Sequence, residues 1–288
     1  MKRILIGGAN SYIGTSFERF MNNFSDKYII DTVDMRNDDW MDLDFSIYDC
    51  IIQIAAIVHV KETNKALYFK VNRDLAVNVA KKAKDEGVRQ FIYFSSMSVF
   101  GKNEGTISKN TVPNPIEAYG ISKLEAESIL RELNSEAFNV VIIRPPMIYG
   151  KNSIGNYARL SKIAQKTLFF PNIANKRSML YIDNLSAFCK LLIDNDLSGI
   201  FHPQNEEFVN TSTLVRKISK AHGKSVKIIS GTSWLISSFK KKSGILKKVF
   251  GTLVYDDSTI GYPGSVYQGV RLDYQYRNFD ESIRETEL

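Results

Sequence analysis

The chain has 288 residues, 44% of them hydrophobic and 24% charged, which excludes a disordered or fibrous chain and suits one large α/β unit or two small domains. Its formal net charge is +7, yet ten basic residues, from Arg216 to Lys248, fall between Glu207 and Asp256, where no acidic residue occurs. The positive field is therefore local, suited to a diphosphate or a membrane surface, and without a recognition motif or interleaved aromatics it does not indicate nucleic acid.

In chain order, "RILIGG" reads as a buried strand ending in glycines, followed by a helix over "SYIGTSFERFMNNF". "KYIIDTVDM" and "YDCIIQIAAIV" are the second and third strands. "NKALYFKVNRDLAVNVAKKAKDEG" is an amphipathic helix that Gly87 closes. "VRQFIYFSSMSVFG" is the fourth strand, "ISKLEAESILRELN" a helix, and "FNVVIIRPPMIYG" a fifth strand stopped by Pro145 and Pro146. Residues 101–115 read as a loop over the sheet edge. "RSMLYIDNLSAFCKLLIDND" is one more strand-to-helix unit that could return to the sheet. The alternation predicts a doubly wound α/β fold with a parallel sheet covered on both faces. Residues 1–150 with roughly 177–201 form the expected main domain, and 151–176 with 202–288 a smaller C-terminal subdomain.

The apolar run of "MKRILIGGAN" stops at Gly7, too short for a signal peptide, and no run approaches a transmembrane span. Cys50 and Cys189 sit in apolar runs and read as buried free thiols of a reducing, cytoplasmic compartment. His59, His202 and His222 show no ligand spacing with the cysteines, so no metal is expected.

Three motifs carry chemistry. "GGANSYIG", Gly7 to Gly14, lies between a strand and a helix, where backbone amides at a helix N-terminus receive a pyrophosphate. Asp34 follows twenty residues beyond Gly14, where a carboxylate would bind an adenosine ribose; Arg36 could instead pair with a 2′-phosphate. The cofactor is thus NAD or NADP, with NAD favoured. "SSMSVFG" ends the fourth strand at the side of the sheet where ligands bind. In "EAYGISKLEAE", Tyr119 and Lys123 share a helix face, and an ammonium beside a phenol favours the phenolate, which makes a tyrosine a usable acid and base.

Together with "IAA" at Ile54–Ala56, "VN" at Val71–Asn72 and "RPPMIYG" at Arg144–Gly150, these motifs resemble the extended short-chain dehydrogenase/reductases, the NAD-dependent epimerase/dehydratase family. The resemblance covers nearly the whole chain and implies a Rossmann fold with a substrate-binding subdomain. It makes Tyr119 the acid/base, Lys123 the residue that lowers its pKa and holds the nicotinamide ribose, and Ser96 the group that orients the reacting oxygen, with Ser95 as runner-up. It places Gly8, Ser11, Tyr12, Ile13, Gly14, Asp34, Arg36, Ala55, Ala56, Asn72, Lys123 and Pro146 at the cofactor. His59, Met97, Met147, Asn156 and Arg177 are the substrate candidates, with Arg177 at the diphosphate of a UDP-sugar. Ser11 replaces the middle glycine of the family turn and fits if its φ is negative. Met147 stands where many members carry an asparagine, which removes or moves a polar contact.

Family dehydratases carry an acid and a base just after the catalytic serine or threonine. Met97 and Ser98 occupy those positions here, which disfavours dehydration. The resemblance then favours reduction of a UDP-4-keto-6-deoxy-N-acetylhexosamine in surface-polysaccharide (capsule or O-antigen) synthesis. The alternative is a UDP-hexose or UDP-N-acetylhexosamine 4-epimerase, acting also on a lipid-linked sugar if the basic stretch 234–255 lies on a membrane. A non-catalytic cofactor-binding sensor or scaffold is the reading from another class. The resemblance also implies a homodimer through the helices holding Asn72–Lys84 and Tyr119–Leu133.

Overall fold

The computed structural model describes residues 1–57, 63–231 and 250–288. His59 and most of the basic stretch lie outside them. Six parallel strands make the central sheet: β1 (Lys2–Gly7), β2 (Tyr28–Val33), β3 (Cys50–Gln53), β4 (Gln90–Phe94), and later Asn139–Ile143 and Gly199–Phe201. With the short strand Gly105–Ile107 counted as β5, the last two are β6 and, after β7 (Met147–Tyr149), β8 (Phe169–Pro171) and β9 (Met179–Tyr181), β10. The order across the sheet is β10-β6-β4-β3-β1-β2. Strand order reverses between β1 and β3, which opens a crevice at their carboxyl ends. This is a doubly wound, Rossmann-type sheet.

Successive strand residues face opposite sides, and the core divides accordingly. Ile4, Ile6, Ile52, Ile92, Phe94, Val141 and Ile143 face one side, under the helices α1 (Tyr12–Met21) and α6 (Ile182–Asp194). Leu5, Ile51, Phe91, Tyr93, Val140 and Ile142 face the other, under α3 (Ala76–Asp85) and α4 (Ala118–Leu133). β3 and β4 are buried along their whole length, as strands covered on both faces must be, whereas edge strand β2 leaves Ile29 exposed. Cys50 and Cys189 are buried free thiols. No helix among the described residues is long and apolar enough to cross a membrane.

The second long helix of the sequence is divided. A short α2 (Lys65–Tyr68) leads into a π-helical segment, Phe69–Leu75, before α3 resumes. That segment turns Asn72 inward, where Oδ1 accepts from the Ile57 amide at 2.8 Å and Nδ2 donates to the Ile57 carbonyl at 3.1 Å. π-Turns of this kind often mark functional positions.

The strand expected in "RSMLY" does not return to the main sheet. Met179–Tyr181 pairs with β7 in a ladder of its own, and the sixth sheet position is taken by Gly199–Phe201 against β6. The loop expected over 101–115 also holds a strand, Gly105–Ile107, paired with β12 (Leu253–Tyr255) once β11 (Lys227–Ile229) is counted. Met97, Val99, Phe100, Ile107, Leu253 and Tyr255 form a small core there, joining the end of β4 to the C-terminal segments.

His202, directly after β10, is buried against Phe100 and Tyr255. Burial, and then the nearby Arg144 charge, push its pKa down to about 3. The native state therefore holds this imidazole neutral, while the unfolded chain protonates it near pH 6.5. Its contribution to stability is complete above about pH 6.5 and is lost as pH falls towards 3, at up to about 1.4 kcal/mol per pH unit. Denaturant titrations of the wild type and His202→Phe from pH 8 to pH 4 are expected to show a shallower acid loss in the variant.

Candidate active site

The cofactor-type turn joins β1 to α1. Gly8 has φ 129°, and a Cβ there would sit 3.0 Å from the Ala55 amide nitrogen, so only glycine lets the two backbones approach. Ser11 takes the place of the expected glycine without strain, at φ −74°, and caps α1 by accepting from the Gly14 amide at 3.1 Å. The amides of Tyr12 and Ile13, in the first turn, point out of the helix end. This cradle suits an anionic pyrophosphate. Ala55 donates to the Gly7 carbonyl at 3.0 Å and closes the far wall, with Ala56 next to it in the chain.

Asp34, just past β2, accepts from the Arg36 amide at 2.9 Å and from Arg36 Nε at 2.9 and 3.0 Å. These bonds hold its pKa down at about 2. The two candidates for reading the ribose are thus each other's partners. Gln53, at the end of β3, is 1% exposed, and neither of its amide atoms has a partner among the described residues. Its Oε1 lies 2.4 Å from where a Gly7 Cβ would be, so it faces the glycine turn. The sequence pattern had not drawn attention to it, because one polar residue in an apolar strand carries no periodic signal.

At the end of β4 the two candidate serines separate. Ser95 turns inward and its hydroxyl bonds the buried Glu127. Ser96 caps a single 3₁₀ turn, Met97–Phe100, by accepting from the Ser98 amide at 3.1 Å, and its hydroxyl stands beside the Tyr119 phenol and lowers the phenol's pKa. Tyr119 begins α4, half-buried, with the Tyr68 ring 6.4 Å away edge-on. Gly120 answers for the glycine in "YGISK": a Cβ there would lie 2.8 Å from the Ser98 carbonyl oxygen and 2.9 Å from Pro115 Cβ. The helix can approach the serine turn only without a side chain at this position.

Lys123 is 2% exposed. Its Nζ donates to the Phe94 carbonyl at 2.7 Å and lies 4.6 Å from the Tyr93 ring centroid. Burial pushes its pKa down to about 7, while the Glu127 carboxylate pulls the other way. Tyr119 differs from the sequence expectation. Desolvation raises its pKa, the Ser96 hydroxyl lowers it, and the lysine, turned to Phe94, is not what governs it.

A cleft of about 340 Å³ opens beside the serine turn, lined by Met97, Ser98, Lys102, Asn156 and Arg177 among others. The lining adds two polar groups to which the motifs gave no binding role. Ser98 has a buried hydroxyl with no partner among the described residues, and Lys102 adds a second cation. Arg177 donates from Nη1 to the Gly251 carbonyl at 2.9 Å, while its buried Nε has no such partner. Asn156 is exposed at the first turn of α5 (Asn156–Lys166). Met147 lines an adjoining apolar recess with Asn156, Arg177 and Met179, so this wall is apolar where an asparagine was the common residue. Pro146 is buried, and the Pro145 carbonyl accepts from the Met97 amide at 3.0 Å, fixing the end of β6 to the serine turn. Exposed Glu117 stands at the rim.

Comparison with known proteins agrees with this geometry. The signature of the NAD dependent epimerase/dehydratase family matches residues 4–202, and the chain belongs to that family. It is 30% identical to the UDP-glucose 4-epimerase of Vibrio cholerae, over 94% of this chain and 94% of that protein. It is 25% identical, over 95% and 94%, to the N-acetyl-alpha-D-glucosaminyl-diphospho-ditrans,octacis-undecaprenol 4-epimerase of Escherichia coli O157:H7. Among solved structures, a UDP-glucuronic acid 4-epimerase from Bacillus cereus in complex with NAD superposes with a TM-score of 0.72 at 18% identity, covering 99% of this chain and 95% of that one. That likeness is one of fold. The protein is an NAD(P)-dependent enzyme of the nucleotide-sugar epimerase and reductase class.

Proposed function

We propose that the enzyme is a UDP-hexose 4-epimerase that uses NAD. The observation that carries this reading is Ser96 beside the Tyr119 phenol, next in the chain to Met97, Ser98 and Gly120, which line a cleft with Arg177; Met97 and Ser98 stand where a dehydratase would carry its acid and base. The whole-length likeness to a UDP-glucose 4-epimerase moves the preference from reduction to epimerisation. Residues 1–150 and 177–201 would carry the cofactor, and 151–176 and 202–288 the sugar nucleotide. Gly8, the Tyr12 and Ile13 amides and Gly14 would receive the pyrophosphate, and Asp34 the adenosine ribose. Bound there, NAD would supply the acceptor and donor of a hydride.

The chain's own groups do the remaining work. As the phenolate, Tyr119 Oη would take the proton of the sugar C4 hydroxyl as C4 is oxidised and, as the phenol, give it back when C4 is reduced from the other face. Ser96 holds the same oxygen. Lys123 would hold the nicotinamide ribose, and Arg177 would grip phosphate oxygens. Because both half-reactions use the same proton and hydride, no net cofactor is consumed.

Two assays separate this from the reductase reading. UDP-glucose or UDP-N-acetylglucosamine with catalytic NAD is expected to give its C4 epimer by NMR. A UDP-4-keto-6-deoxy-N-acetylhexosamine is expected to cause no stoichiometric loss of NADH or NADPH; such loss, without epimer formation, would make the protein a reductase. An epimer formed only from a polyprenyl-diphosphate sugar would assign the substrate to the lipid-linked class instead.

The Asp34–Arg36 pair gives a second check. Replacing Asp34 by Ser removes the carboxylate and frees the guanidinium for a 2′-phosphate. The ratio of NADP to NAD affinity is expected to rise by roughly 10- to 100-fold, the worth of one charge-assisted hydrogen bond gained and one lost. Fluorescence titration with both reduced cofactors measures it.

A further inference from the structure

Tyr119, Lys123 and Glu127 follow one another at one-turn intervals, so they share a stripe of α4. Glu127 belongs to neither the cofactor nor the substrate set, and it is 1% exposed. Arg144 Nε donates to Glu127 Oε1 at 3.0 Å and to Oε2 at 3.2 Å, Nη2 reaches Oε2 as well, and the Ser95 hydroxyl donates to Oε1. Burying two ions removes both from water, and such a pair is seldom worth more to stability than apolar residues of the same size. What this pair does must be sought in what it holds.

It holds the end of β4. Ser95 lies between Phe94, whose carbonyl receives the Lys123 ammonium, and Ser96, whose hydroxyl stands beside the Tyr119 phenol. One carboxylate therefore fixes the strand end against the helix that carries both reactive side chains. It is also the anion that acts on Lys123, opposing the burial that favours the neutral amine. The other groups around this pocket are the Tyr93 and Tyr119 phenols, Arg144 from the end of β6, and Tyr255 and His202, which face Arg144.

We infer that Glu127, clamped by Arg144, is the counter-ion and positioning residue for Lys123, keeping its ammonium charged in a dry pocket and seating Tyr119 through Ser95 and Ser96. The inference rests on the proposal that Tyr119 and Lys123 do the proton work, and its test reads the lysine directly. Protein labelled with ¹³Cε-lysine is titrated by NMR, with the Lys123 signal assigned by its loss in Lys123→Met. The variants are Glu127→Gln, which leaves Arg144 unpaired, and Glu127→Gln/Arg144→Met, which replaces both charges by neutral groups of similar size and keeps the fold. In both, the Lys123 midpoint is expected to fall by about one pH unit or more, a tenfold loss of the charged form at fixed pH. Turnover of the double variant is expected to fall more at pH 8 than at pH 6, and Glu127→Asp to recover part of the shift. A midpoint in the double variant within roughly 0.3 pH unit of wild type would overturn the inference. A wild type that titrates as expected but epimerises no sugar nucleotide would overturn the proposed function and leave the counter-ion standing.

Discussion

Tyr119→Phe is expected to lower kcat by about 10²- to 10⁴-fold, the range lost when a positioned acid/base is removed. The ring is kept, so its edge contact with Tyr68 and the close approach at Gly120 survive. Only the hydroxyl beside Ser96 goes. NAD affinity and thermal stability should therefore stay near wild type, because the phenyl ring still fills its place. The same variant separates enzyme from scaffold: a cofactor-binding protein without turnover would be indifferent to this change. Steady-state kinetics and NAD fluorescence titration on one preparation supply both numbers. An unchanged kcat would remove Tyr119 from the mechanism.

The largest expected effect on stability comes from Arg144→Met. It leaves the Glu127 carboxylate 1% exposed with its guanidinium partner gone. Breaking one side of a buried pair costs about 3–5 kcal/mol, because the remaining charge stays out of water. Denaturant titrations of the variant and the wild type at neutral pH would show it. The Glu127→Gln/Arg144→Met double variant is expected to lie close to wild type, since no charge is stranded. Equal losses in the single and double variants would mean that packing, not charge, governs the site.

The parallel sheet was legible because its strands are runs of Ile, Val and Phe long enough to be read, and because glycine and proline end them. The cofactor turn was legible for a similar reason: "GGANSYIG" needs no partner from elsewhere in the chain to announce a strand, a turn and a helix end. Short elements were not. Met179–Tyr181 and Gly199–Phe201 have three residues each, and which neighbour they pair with is decided by the packing of α6, not by their own pattern. Hence the sixth sheet strand was sought in the wrong one.

At the site, the order Ser96, Tyr119, Lys123 could be taken from motifs, but their relations could not. That Gly120 is required by the Ser98 carbonyl, that Ser95 turns to Glu127 while Ser96 meets Tyr119, and that Lys123 reaches the Phe94 carbonyl are facts of α4 lying against the end of β4. Two residues in different elements leave no spacing to read. The same holds for Gln53 and for Ser98, whose orphaned polar atoms appear only once their surroundings are in place.

The central claim is that one enzyme-bound cofactor takes a hydride from C4 and returns it to C4 of the same sugar. UDP-glucose carrying deuterium at C4, incubated with the protein and a catalytic amount of NAD, tests it in a single ¹H and ²H NMR experiment. The account predicts the C4 epimer, with deuterium still at C4 and no net change in the cofactor. No epimer, or deuterium passed stoichiometrically to free cofactor, would contradict it.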